Sequence, residues 1–381
     1  MGSTLVMVVG TVLRSHAGGY LVYLSEKDIT LQCQARGRLK KERVSILTGD
    51  RVELADLDFD QQTGLITGCL PRWSLLSRPQ IANVDQVVIV QAVRQPEWNQ
   101  LWCDRYIVHF QLELPDCTPV LCFNKCDLVD QEIALTLRRV YESLGYRVLM
   151  VSARTGAGIE ELSTMLENKI TVFAGPSGVG KSSLLNALEP SLNLKIGVMD
   201  NEYGVGRHTT TYSEIYRVKG AGDPSWVADT PGFNLAELRH PEPVDVMWQF
   251  PEVINLSSDC RFSNCLHLVE TGCNVIEKVV ELDICEAYDG SQVPPPLVSR
   301  QRYDNYVTIV NEAQQEQNLL RETSTKKEAS VKQVGGRKGK AVSIPRLSGR
   351  YRAESRRTQK QKLDAGITTD DDDDLTEESE E

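Results

Sequence analysis

The chain has 381 residues, 41% of them hydrophobic and 25% charged, with Gly 27 and Pro 16. That balance excludes fibrous, collagenous and wholly disordered chains and provides for two or three domains with hydrophobic cores. The formal charge of −11 argues at first against nucleic-acid binding, but it is an uneven sum: residues 321–362 carry 14 Lys and Arg against three Glu, residues 363–381 carry ten acids and no base, and the first 320 residues hold a net −12. RNA affinity follows local fields within a Debye length, ~8 Å in physiological salt, so the total does not decide the partner. No run approaches 18 apolar residues, and Met1 leads straight into strand-like sequence. A soluble cytoplasmic chain without membrane contact is expected.

Residues 1–78 contain five short runs rich in Val, Ile, Leu and Tyr: 5–13, 19–24, 29–33, 44–54 and 65–70. Five strands with no helical stretch predict a small closed barrel of the OB type, a fold that binds oligonucleotides on one face. Arg36, Arg38, Lys40, Lys41 and Arg43 then place five cations before the fourth strand, either as a nucleic-acid contact or as an ordinary solvated loop.

From residue 79 to about 245 the pattern becomes α/β. Apolar strands are predicted at 84–93, 119–123, 147–151, 170–174 and 225–228, with a helix after Asp130 that carries Ile133, Leu137, Val140 and Leu144 on one face and ends at Gly145. In such sheets ligands bind where the strands end.

Four of these strand ends carry chemistry. The strand to Ala174 runs into Gly175-Pro176-Ser177-Gly178-Val179-Gly180-Lys181-Ser182 and then the helix-like Ser183 to Leu188, a full phosphate loop. Its backbone N–H groups wrap the β-phosphate, Lys181 reaches the β- and γ-phosphates, and Ser182 ligates magnesium. The strand to Phe123 delivers Asn124-Lys125-Cys126-Asp127, whose carboxylate accepts from N1–H and the exocyclic amine of guanine but meets an acceptor on adenine. The strand to Val151 delivers Ser152-Ala153-Arg154-Thr155-Gly156, where the Ala153 N–H can meet guanine O6. The strand to Ala228 delivers Asp229-Thr230-Pro231-Gly232, with Asp229 placed for magnesium and the Gly232 N–H for the γ-phosphate. Between them, Gly206-Arg207-His208-Thr209-Thr210-Thr211 offers hydroxyls, Thr210 among them, in a candidate switch loop. Together these residues predict a site for GTP or GDP with magnesium. The order of the motifs is rotated relative to Ras-like proteins, as circular permutation of one sheet would produce.

Six of the ten cysteines are scattered, as reduced thiols packed like small hydrophobes. Cys260-x4-Cys265-x-His267-x5-Cys273 supplies three thiolates and an imidazole, a closed tetrahedral set for one structural zinc ion. Packed reduced cysteines, or a set with Cys285 in place of His267 on a helix-like stretch at 279–288, are the alternative readings. After about residue 319 hydrophobic periodicity fades, predicting a disordered tail, basic and then acidic. Its basic half could touch phosphates or the whole could be a solubilising extension.

With Ile81-Ala-Asn-Val-Asp85, Asp104-Arg105-Tyr106, Gly206 to Thr210 and Arg302-Tyr303 added, residues 5–315 closely resemble the RsgA/YjeQ family of GTPases dependent on the small ribosomal subunit. The resemblance implies an OB-like barrel at 1–78, a circularly permuted P-loop GTPase domain at 79–245 and a zinc-binding α-helical module at 246–318, and it stops before the charged tail at 319–381. It further implies a cytoplasmic factor, expected as a monomer, that binds rRNA in late small-subunit precursors through barrel and zinc module and leaves after GTP hydrolysis. Phe233 stands where Ras-like proteins place a water-orienting Gln, so intrinsic hydrolysis should be slow. His208 is the nearest catalytic candidate, unless it only packs in its loop. Two rival readings are a GTP-regulated binding module for a protein partner, with incidental turnover, and an ATP-dependent kinase or transporter subunit. Asp127 argues against the latter.

Overall fold

The computed structural model describes residues 8–16, 18–41, 44–194, 214–218, 225–229, 241–282, 292–326, 331–335 and 341–345. The chain divides into two compact units, Met1–Gln317 and Asn318–Glu381. In the first, strands β1 (Val8–His16), β2 (Gly19–Leu24), β3 (Ile29–Ala35), β4 (Arg51–Asp58) and β5 (Thr63–Cys69) close a barrel in the order β1-β2-β3-β5-β4, with β3 and β5 parallel. Alternation along the strands buries Val12, Val22, Leu31, Val52 and Ile66 inside it. Two expectations change. A helical turn, α1 (Gly37–Lys41), joins β3 towards β4 where no helix is expected, burying Leu39 while Arg36 and Arg38 stay exposed. The fourth strand begins at Arg51, because 44–50 turn instead around buried Asp50, which accepts from Leu47 N at 2.7 Å and pairs with Arg72 at 2.6 Å.

A hairpin, β6 (Leu75–Ser77) and β7 (Gln80–Ala82), links barrel to sheet. The Ile81 to Asp85 motif forms this joint. Asn83 donates to Gly49 O of the barrel (2.9 Å) and accepts from Trp73 N (3.1 Å), while Asp85 accepts from Ile170 N of the sheet (2.7 Å). Gly49 must be glycine here: its φ is +88° and a Cβ would lie 2.1 Å from Ala82 O.

The sheet has β8 (Gln86–Ala92), β9 (Val120–Asn124), β10 (Val148–Met150), β11 (Ile170–Ala174), β12 (Ile215–Val218) and β13 (Ser225–Asp229) in the order β10-β9-β8-β11-β13-β12, parallel except for edge strand β12. Helices α2 (Gln100–Glu113), α3 (Gln131–Ser143), α4 (Ile159–Met165) and α5 (Lys181–Leu188) connect it. Helix α3 buries Ala134, Leu137, Val140 and Tyr141, but Ile133 is exposed, one residue off the expected face. Gly145, at φ +87°, follows α3 as expected.

Beyond the sheet, α6 (Pro243–Met247), α7 (Pro251–Ser257), α8 (Asn274–Glu277), a strand pair β14 (Val279–Val280) with β15 (Val298–Ser299), and α9 (Arg300–Lys326) form the C-terminal module. Val279 and Val280 are strand residues, not the start of a helix, and Cys285 lies outside the described residues. The module's core includes Val108, with Leu101 and Leu112 packed against it, all from α2. Arg302 of α9, fully buried, pairs with Glu252 of α7 at 2.7 Å and with Asp104 of α2, whose second oxygen takes Asn305 Nδ2 at 2.7 Å. Past residue 319, where no regular structure is expected, α9 continues to Lys326, and strands β16 (Val331–Gly335) and β17 (Ala341–Pro345) pair antiparallel.

Removing Arg302 leaves two buried carboxylates without a counter-charge. Arg302→Ala should lower unfolding stability by about 3–5 kcal/mol, read by denaturant titration of the full chain.

Candidate nucleotide site and metal centre

Three loops meet at the carboxyl ends of β9, β10 and β11, and one buried side chain holds them. Asn124, the last residue of β9, donates from Nδ2 to Val179 O of the phosphate loop (2.8 Å). Its Oδ1 accepts from Lys125 N (2.8 Å) and from Ala153 N (3.1 Å). Lys125 turns the chain at φ +64° and lays its ammonium on Gly178 O (2.7 Å) and Gln95 O.

Asp127 projects into the space these loops enclose. Ser152 Oγ donates to Asp127 Oδ1 (2.6 Å) and Arg154 pairs with Oδ2 (2.7 Å). The Ser152 hydrogen bond, aided by Arg154, holds this carboxyl below its ordinary range, so it is ionised at neutral pH. Cys126 opens a tight helical turn and donates from its backbone N to Val151 O; burial pushes its thiol up, away from reactivity.

Gly175, Gly178 and Gly180 all have positive φ. A Cβ on Gly175 would lie 2.1 Å from Val90 O, and one on Gly180 would lie 2.3 Å from Asn124 Nδ2. Glycine at 180 is therefore what lets Asn124 reach across. Val179 anchors the loop in the core, Pro176 is half-buried, and Ser177 and Gly178 are exposed. Lys181 Nζ folds back onto Gly175 O (2.8 Å) and Pro176 O (3.0 Å), and Ser182 and Ser183 follow in the first turn of α5.

The cleft so formed measures about 540 Å³. Of the residues singled out from sequence, Asn124, Lys125, Asp127, Ala153 and Ser183 line it. Gln95, Leu128, Arg154, Asn186 and Ala187 also line it without having been selected. Arg154 sits within the Ser152 to Gly156 motif, where its charge is a signal in the sequence; Gln95 arrives through the loop after β8, which carries no motif. The backbone register pairs Asp229 with Phe173, at the end of β13 beside the strand leading to the phosphate loop. His208, Thr210 and Gly232 lie outside the described residues.

The second centre stands in the C-terminal module. Ligand atoms of Cys260, Cys265, His267 and Cys273 all lie within 4.8 Å of one another. Cys260 Sγ is 3.6 Å from His267 Nδ1 and 3.9 Å from Cys273 Sγ, and His267 Nδ1 is 3.2 Å from Cys273 Sγ. A tetrahedron with Zn–S of about 2.3 Å and Zn–N of about 2.0 Å has edges close to these lengths. The set therefore fits one zinc ion. Burial pushes the Cys273 thiol up to about 12, and a dication would supply the charge that favours thiolates. Cys273 also caps α8, accepting from Ile276 N. Tyr303 and Tyr306 of α9 donate to His267 O (2.8 Å) and Leu266 O (2.7 Å), fixing the ligand loop to the long helix.

A phosphate loop and an acidic base-reading loop, joined on a six-stranded sheet in rotated order, define the class of circularly permuted P-loop GTPases. Within that class, residues 9–66 match the model of the RsgA N-terminal domain and residues 69–239 that of the RsgA GTPase. Curated relatives called small ribosomal subunit biogenesis GTPase RsgA include one from Moorella thermoacetica, 39% identical over 80% of this chain and 96% of its own, and one from Caldanaerobacter subterraneus, 38% identical over 81% and 97%. Among solved structures, YjeQ from Thermotoga maritima superposes with a TM-score of 0.64 at 32% identity, covering 81% of this chain and 99% of that one. YloQ, described as a circularly permuted GTPase, gives 0.61 at 30% identity over 83% and 98%. The chain belongs to the RsgA GTPase family.

Elemental analysis of the full chain should find one zinc per molecule. Cys273→Ser should abolish it and lower the melting temperature by about 5 °C or more, because metal binding is folding energy for this module.

Proposed function

We propose that this chain hydrolyses GTP as an assembly factor in late maturation of the small ribosomal subunit, binding its rRNA and departing after hydrolysis, as a cytoplasmic monomer. The observation that carries the nucleotide half is the Asn124 carboxamide, which holds the phosphate loop and both base-side loops around an ionised Asp127. The relatives' names supply the ribosomal half.

Asp127 reads the guanine N1–H and amine, and the Ala153 N–H meets O6. The N–H groups from Gly175 to Ser183, at the N-terminus of α5, face the phosphates, and Lys181 exchanges its loop carbonyls for β- and γ-phosphate oxygens. Ser182 and Asp229 offer hard oxygen donors suited to magnesium, with Thr210 added from the switch loop. Magnesium, when bound with GTP, neutralises charge developing on the β- and γ-oxygens. The Gly232 N–H senses the γ-phosphate. In place of a glutamine, His208 orients or deprotonates the attacking water.

The barrel and zinc module are the rRNA contacts, since the body of the chain is acidic and its exposed Arg36 and Arg38 stand on the barrel. No helix among the described residues is long and apolar enough to cross a membrane.

Purified protein should turn over GTP slowly, and isolated small subunits should raise that rate at least about tenfold; an equal rate with and without subunits would favour the binding-module reading. His208→Ala should remove most of the stimulated rate, and full retention would take His208 out of the mechanism. Asp127→Asn should reverse the donor–acceptor match, weakening GTP by about a hundredfold and admitting xanthosine triphosphate, measured by competitive nucleotide titration.

A further inference from the structure

A second cleft, of about 320 Å³, opens on the first unit where the linker hairpin meets the end of α2. Its walls are Trp73, Leu75 and Val84 from the linker and Leu114, Pro115 and Cys117 from the end of α2 and the turn beyond. Trp73 is 54% and Leu75 41% exposed, large apolar surfaces to leave in water. The Asp85 carboxylate, which accepts from Ile170 N, lies beside the indole, and the Trp73 backbone N–H is tied to Asn83 Oδ1.

The rim is negative. Asp85, Glu113 and Asp116 line the cleft, and among the described residues no Lys or Arg does. Glu113 accepts from Ser77 N at 3.2 Å. Asp116 is exposed, and among the described residues neither a hydrogen bond nor an ion pair occupies its carboxylate. The last turn of α2 contains no basic residue, so its free carbonyls add the negative end of the helix dipole. Lys169, a cation whose charge acts on Asp85, is engaged at 3.2 Å with both Gln86 Oε1 and Met165 O.

We propose that this cleft is a docking site for a lysine- or arginine-bearing polypeptide segment. The cation sits between Glu113 and Asp116, its aliphatic stem lies on the Trp73 indole, and a neighbouring apolar residue fills the space over Leu75 and Leu114. Charge decides the class of partner: the three carboxylates repel a phosphate backbone, whereas a guanidinium or ammonium gains both the carboxylates and the ring face. In the reading above, the cleft takes a basic protein of the particle, leaving RNA to the barrel and zinc module. The inference rests on that reading for the identity of the particle only, since the test uses a peptide without ribosomes.

The test is fluorescence anisotropy of a labelled Leu-Arg-Gly-Leu-Arg-Gly peptide on the full chain at physiological salt. Asp116→Asn and Trp73→Ala should each weaken binding at least about tenfold, with GTP affinity unchanged. Replacing both arginines by citrulline should abolish binding. Neutralising Asp370 to Asp374, the acidic run near the C-terminus, should leave it unchanged. Asp116→Asn touches a carboxylate that holds no bond, so it decides the matter even if Trp73→Ala unfolds the linker. No peptide binding, equal affinity in Asp116→Asn, or loss confined to the Asp370–Asp374 variant would each overturn the docking site. An intact docking site with no effect of ribosomal subunits on GTP turnover would instead overturn the ribosomal reading alone.

Discussion

The geometry of the nucleotide cleft depends on the side chain of Asn124. A primary amide donates and accepts in the same plane, and here its nitrogen takes a phosphate-loop carbonyl while its oxygen takes two backbone N–H groups of the base-side loops. The amide is buried, so each unmade bond would cost the desolvation of a polar group. Glycine at 180 follows from this, because the amide occupies the place of its Cβ. Three loops from three separate strands thus share one satisfied polar hub, and Asp127 is aimed by Ser152 from a loop that the hub also holds.

The same economy runs through the rest of the first unit. Helix α2 packs one face on the sheet through Cys103, Tyr106, Ile107 and Phe110, and gives Leu101, Val108 and Leu112 to the core of the zinc module. The Arg302, Asp104 and Glu252 cluster crosses that seam, and burial raises the Asp104 carboxyl above its ordinary range despite the arginine beside it. On the other flank the barrel meets the sheet through Tyr23 edge-on to Trp226 at 5.0 Å, with Arg217 over the Tyr23 ring and paired with Asp28. These contacts place barrel, sheet and metal centre within one packed body.

Legibility in the sequence varied with how local the determining physics is. Strand β2 and strand β11 stand where their apolar runs end, because each is bounded by turn residues and buried by its own alternation or hydrophobicity. The phosphate loop and the zinc ligands were legible because glycine and cysteine spacing carries the chemistry directly. Helix α2 was not, since burial on two opposite faces erases the amphipathic stripe that periodicity detects. The barrel's α1 is a single turn, too short for its buried Leu39 to give a period to find. The roles of Asn83 and Asp85 as a joint, and of Gln95 in the cleft, come from contacts between segments far apart in sequence and have no local signal.

Sharing α2 between two cores also fixes what can be cut from this chain. A fragment ending near residue 245 would keep every nucleotide motif yet bare Leu101, Val108 and Leu112 and leave Asp104 without Arg302, presenting a sticky apolar flank over a stranded charge. A fragment beginning there would hold the metal ligands without the helix that completes their core. Cuts at the boundaries visible in the sequence would therefore divide shared packing, and loss of either part should cost the other stability.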